Sequence, residues 1–140
     1  MRIIFDPATV HQSKRGSVTA IVYFDFGSVG QFPCAGWNDF VVVILTWWWA
    51  ALEELIQDSE EVCLHFMDGP YWITAIAQGR DILLRCTEDR TGAGVLYEVI
   101  VAVEDLKYEL MSFSSQLLSA CAKADIRSEI LDDLRRHLPN

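Results

Sequence analysis

Phe40-Val41-Val42-Val43-Ile44-Leu45-Thr46-Trp47-Trp48-Trp49-Ala50-Ala51-Leu52 contains one hydroxyl and no charge, inside a chain whose formal net charge is -9. At about 100° per residue, three consecutive tryptophans spread over roughly 200° of a helix surface, so burying all three requires cover on more than one side. Either a layered fold or a partner must supply that cover.

The three glycines and the proline of residues 27–36 break regular structure just before this run. Asn38 then serves as a plausible N-cap and Asp39 favours the first turn through the helix dipole, with Phe32 or Trp37 packing against that turn. The predicted helix runs from Asp39 to Gln57, and polarity resumes only at Glu53. Phe40, Val43, Ile44, Trp47, Ala51 and Leu55 mark its inward stripe. Val41, Leu45, Trp48 and Leu52 extend apolar character to neighbouring faces, and Trp49 lies furthest from the stripe. Internal packing of all three rings, or one ring left at an interface, are both open.

Upstream, Arg2–Phe5 reads as a short strand, residues 11–16 as a polar connection, and Ser17–Phe26 as a strand with period-two alternation. Downstream the period is again two. Val62, Leu64 and Phe66 alternate with Cys63, His65 and Met67, then a turn at Asp68-Gly69-Pro70 leads into strands at Tyr71–Gln78, Ile82–Thr87 and Val95–Val103. A polar loop from Glu88 to Gly94 separates the last two.

Glu104 and Asp105 open a helix with apolar residues at spacings of three and four from Leu106 to Cys121. Ser128 caps a final helix bearing Ile130, Leu131, Leu134 and Leu138, with Arg135 and Arg136 near its negative end and Pro139 stopping it. No repeat or low-complexity linker divides the chain. Residues 1–140 therefore read as a single α+β domain, an antiparallel sheet with helices packed mainly on one face, in the order β-β-α-β-β-β-β-α-α.

With 51% hydrophobic and 22% charged residues, the composition argues against disorder. The excess of 20 acidic over 11 basic residues disfavours nucleic acid, whose phosphates call for a basic footprint. The acidic clusters are either a solvated surface or a means of steering toward a basic partner. The apolar run is shorter than the roughly 20 residues that cross a bilayer, and it lacks the charged face of an interfacial anchor. No membrane association is expected.

Cysteines 34, 63, 86 and 121 form no Cys-x-x-Cys pair and give no zinc signature. Without a signal sequence at Met1, reduced thiols in the cytoplasm are the expectation, most of them buried as small hydrophobes.

No catalytic constellation stands out. His11 sits in a polar connection, His137 at a helix end, and His65 points opposite Phe66 on its strand. There is no Gly-x-Ser-x-Gly elbow and no phosphate-binding glycine motif, and Glu53 and Glu54 diverge by about 100° on a helix. No cofactor or metal is predicted. Asp68-Gly69-Pro70 with Tyr71 and Trp72 reads either as a hairpin turn bracketed by core aromatics or as a rigid loop presenting a carboxylate beside aromatic rings.

The segments Phe32-Pro33 through Trp37-Asn38-Asp39-Phe40 and on to Trp47-Trp48, and Phe66-Met67-Asp68-Gly69-Pro70-Tyr71, resemble immunity proteins of bacterial polymorphic toxin systems. The likeness covers the middle third of the chain. It implies a compact α+β domain that binds and neutralises a cognate protein toxin, here one with a basic cleft, by occlusion. Acidic side chains would steer the encounter and an aromatic patch would form the desolvated centre. The candidate partner-binding residues are Trp49, Glu60, Glu61, Asp68, Tyr71 and Trp72. A small-molecule module or enzyme with a pocket between the sheet and the Trp-rich helix, and a homodimer built on the exposed side of that helix, are the competing readings.

Overall fold

A computed structural model describes residues 1–89 and 94–138. The expected stop at Pro139, and part of the polar loop between Glu88 and Gly94, lie outside them.

β1 (Arg2–Gln12) and β2 (Val18–Asp25) form an antiparallel hairpin, and alternate residues of β2 from Val18 to Phe24 are buried as the period predicts. β1 runs well beyond Phe5. Its register breaks between Asp6 and His11, around Pro7, which has no N–H to pair; there the Ile21 N–H donates to Thr9 Oγ1 at 2.8 Å instead. After a 3-10 turn at Gly27–Val29, two short strands, β3 (Gln31–Phe32) and β4 (Asn38–Asp39), both pair with β2.

α1 (Val41–Gln57) is followed by β5 (Glu61–His65), β6 (Tyr71–Gln78), β7 (Asp81–Glu88) and β8 (Gly94–Ala102), an antiparallel sheet in sequential order. α2 (Val103–Lys123) and α3 (Glu129–Arg135) complete the chain. The α+β class and the order of main elements are as expected, with the strands divided between two antiparallel sheets. Ser128 caps α3 by accepting from the Leu131 N–H at 3.2 Å.

Both sheets turn an apolar face to one buried cluster. Trp48 is its hub, with its ring 5.2 Å from Phe24 of β2, 5.3 Å from Phe66 beyond β5 and 6.2 Å from Phe113 of α2. α2 lies along the free edge of β1, where Glu109 accepts the Ile3 N–H at 2.8 Å and so occupies a donor an edge strand would leave open.

The start of α1 differs from expectation. Phe40, not Asn38, is the N-cap residue and supplies no side-chain cap, while Asn38 and Asp39 are in extended pairing with Ile21 and Ala20. The inward stripe is also rotated. Trp48 and Trp49 are buried, Phe40 and Val43 are half-buried, and Trp47 is 43% exposed. The strands β2 and β5 cover one side of α1, and α2 and α3 cover another. The side left open carries Val43, Trp47 and Ala50.

Candidate functional site

Pleating sends successive residues of a strand to opposite faces. In the second sheet Val62, Leu64, Ile73, Ala75, Ile82, Leu84, Cys86 and Val101 face the core, so the intervening residues form the opposite face. Register arranges that face in rows across the strands. Glu61, Ile76, Leu83 and Ile100 make the first; Cys63, Thr74, Arg85 and Glu98 the second; His65, Trp72, Thr87 and Val95 the third.

The middle row is polar and holds the Arg85–Glu98 ion pair at 3.6 Å. The first row is largely apolar, and the third mixes Trp72 and Val95 with His65 and Thr87. Ile100 is 61% exposed, Val95 and Leu96 are both exposed where the β8 register shifts, and Trp72, Ile76 and Leu83 are half-buried. Among the described residues no helix is laid over this face.

Of the residues singled out from sequence, Glu61 and Trp72 lie on it, separated along the strand direction by about 13 Å, four residues at about 3.3 Å each. Glu60 adjoins Glu61, its carbonyl accepting the Ala77 N–H at 2.9 Å. Asp68 and Tyr71 sit at the Trp72 end. The expected patch thus divides into an acidic end and an aromatic end of one sheet, and Trp49 belongs to neither.

Trp49 is only 4% exposed. Its indole N–H donates to Ser114 Oγ at 2.8 Å, and its ring is stacked under His137, with centroids 4.9 Å apart and planes 4° from parallel. His137 Nδ1 is 2.8 Å from Glu53 Oε1. His137 is therefore half-buried and engaged, not loose at a helix end. Trp49, the ring expected to be furthest from the core, is withdrawn from any contact surface, and Trp47 is the exposed member of the triplet.

The aromatic end is organised by Asp39, which is 1% exposed. Its Oδ1 accepts from the Phe40 N–H at 2.7 Å and the Met67 N–H at 3.2 Å; its Oδ2 accepts from Trp37 Nε1 at 2.9 Å and the Asp68 N–H at 3.3 Å. Four donors compensate the desolvation of one buried side chain. They also join the segment around Trp37 to the turn after β5. Trp37 and Tyr71 meet edge to face at 5.0 Å, and a side chain at Gly69 would strike Trp37 and Tyr71 at 2.9 and 3.0 Å. With φ at +75°, Gly69 also holds a backbone conformation that other residues disfavour. Tyr71 packs inward, toward Phe32, rather than out with Trp72.

No known protein family, curated protein or solved structure matches the chain.

Burial pushes the Cys86 thiol up to about 12 and raises that of Cys121, so both are held as neutral thiols, while Cys34 and Cys63 are exposed. All four are free. Among the described residues no group of three or more His, Cys, Asp or Glu side chains is placed to hold a metal ion, and no helix is long and apolar enough to cross a membrane. His65 lies on the open face, pointing away from the core as its strand position predicts.

Sequence reasoning missed the row of Ile76, Leu83 and Ile100, and the role of Asp39. The signal for the first was present: Glu98 and Ile100 share a parity in β8. Apolar residues stand on both parities of that strand, however, and alternation alone does not say which side faces water.

Proposed function

We propose that the chain is a binding protein that neutralises a cognate protein toxin by covering its active site, and that the open face of the second sheet is its contact surface. The observation that supports this reading is the uncovered apolar row Ile76, Leu83 and Ile100, with Glu61 at its end, and Trp72 across the polar row that holds Glu98. Exposed apolar groups gathered on one face mark interaction surfaces, and an aromatic residue on such a face is a common energetic centre.

The formal charge of -9 favours a partner with a basic cleft, because complementary fields accelerate encounter and orient it. Two exposed, unpaired thiols fit a reducing compartment, and the proposed site of action is the bacterial cytoplasm. Trp49 drops out of the contact set, and Ile76, Leu83 and Ile100 enter it.

The test is co-expression with the toxin candidate encoded beside this chain's gene. Restored growth and a co-purifying complex are expected, with Trp72→Ala combined with Ile100→Arg weakening binding by at least tenfold. Full protection and unchanged affinity in that variant would remove the face; no complex and no protection would remove the function. Homodimerisation through the same face is the competing occupancy, and sedimentation at micromolar concentration as a stable dimer would favour it.

A further inference from the structure

The end of the molecule carrying Glu60 and Glu61 contains a recess that the open face does not include. It has a volume of about 500 Å³ and lies between the last turns of α1, the β6–β7 hairpin and the start of α2. Its walls are Leu55, Ile56, Ala77 and Val103, with Arg80 and Glu104 also lining it. Main-chain bonds hold the walls together: the Val103 N–H donates to the Arg80 carbonyl at 2.9 Å, and the Ala77 N–H to that of Glu60 at the same distance.

Leu55 is buried and forms the interior side, whereas Ile56 is 55% exposed and Ala77 is exposed. Of the charged residues, Arg80 and Glu104 line the recess itself, and the segments beside it also present Asp58, Glu60 and Asp105 to solvent, against Lys107. An apolar interior beside a surface on which acidic residues outnumber basic ones favours an occupant with apolar side chains and flanking positive charge. A volume within the usual range of ligand pockets admits more than one such side chain.

We propose that this recess is an anchoring pocket for a segment of the partner protein in which aliphatic side chains are flanked by Lys or Arg. The inference rests on the reading of the chain as a binder of a basic protein, and it places a second anchor next to the first. Ile76 faces the open side of β6 while Ala77, the next residue, lines the recess, so a partner covering the sheet reaches the pocket by passing around the hairpin.

The probe is a 12-residue amphipathic peptide of Leu and Lys, titrated into the ¹⁵N-labelled chain in the absence of any toxin. Saturable amide shifts are expected at Leu55, Ile56, Ala77, Gly79 and Val103. Ala77→Trp, which fills the recess, should weaken binding at least tenfold, and Glu104→Lys at least threefold. Ile56→Ser, at an exposed position, supplies the same test should the tryptophan disturb the sheet. Replacing every Leu of the peptide by Ala should abolish binding. Unsaturable shifts spread over all the acidic segments, or equal affinity for wild type, Ala77→Trp and Ile56→Ser, would overturn the proposal. Because no toxin is present, loss of pocket binding is distinguishable from failure of the neutralising function, which co-expression reads.

Discussion

Trp49 and Ser114 are joined side chain to side chain, indole N–H to hydroxyl oxygen at 2.8 Å, and Ser114 in turn donates to the Leu110 carbonyl at 2.7 Å. This relay fastens α1 to α2 across a dry contact, because Ser114 is fully buried. Ser114→Ala strands the indole N–H without a partner. An unsatisfied buried donor costs about 1–3 kcal/mol, so the unfolding free energy should fall by that amount, read as a lower urea midpoint at unchanged m-value. Partner binding should be untouched, since neither residue reaches the open face.

Asp39 is a stronger test of what orders the aromatic end. Asp39→Ala deprives four N–H groups of their acceptor, and the expected loss is about 2–4 kcal/mol, less than four full penalties because the Asp68 end of the loop regains water. Asp39→Asn keeps one oxygen and should lose less. Hydrogen exchange at Met67 and Asp68 is the direct readout, and both amides should lose protection in Asp39→Ala. Unchanged protection would show that the loop is held by Trp37, Gly69 and Tyr71 alone.

The misreading of Asp39 has a physical cause. Asn-Asp before an apolar run is a sound local capping signal, but two of the donors that recruit Asp39 lie 28 and 29 residues further along the chain, and local pattern carries no trace of them. The outward His65 and inward Phe66 were legible because their strand alternates cleanly, as was Ser128, whose cap is wholly local. The orientation of α1 was not. From Val41 to Leu52 nearly every position is apolar, so the helical period has no polar side from which to take its phase.

That orientation yields a contrast between neighbours. Trp48→Ala removes the ring that touches Phe24, Phe66 and Phe113 and leaves its Nε1 partner, the His65 carbonyl, unpaired. It should cost about 3–5 kcal/mol. Trp47→Ala, one position earlier but 43% exposed, should cost about 1 kcal/mol or less. Thermal or urea unfolding of the two variants side by side measures the rotation of the stripe, and equal losses would contradict it.

The cysteines separate by chemistry as well as by place. Under native conditions Cys34 and Cys63 should react with a disulfide reagent at rates close to those of free thiols, while Cys86 and Cys121 react only after unfolding. Burial raises the Cys86 thiol from an ordinary 9.0 to about 12, which means the unfolded chain releases that proton first as pH rises. Its contribution to stability is complete below pH 9 and is lost between about 9 and 12, at up to about 1.4 kcal/mol per pH unit. Cys86→Ala should flatten that limb of the stability profile relative to wild type.

On the open face, apolar and acidic groups should separate kinetically. Ile100→Lys and Trp72→Ala remove contact area that forms only in the complex, so their effect should appear chiefly in the dissociation rate, with the unfolding free energy within about 1 kcal/mol of wild type for the exposed Ile100. Glu61→Lys changes the field without removing apolar contact. It should slow association severalfold at low salt, and the difference should shrink as ionic strength shortens the screening length. Stopped-flow mixing with the toxin across a salt series reads both rates. If Ile100→Lys alters neither rate, the partner binds elsewhere; if Glu61→Lys leaves association unchanged at low salt, the acidic surface serves solvation and not steering.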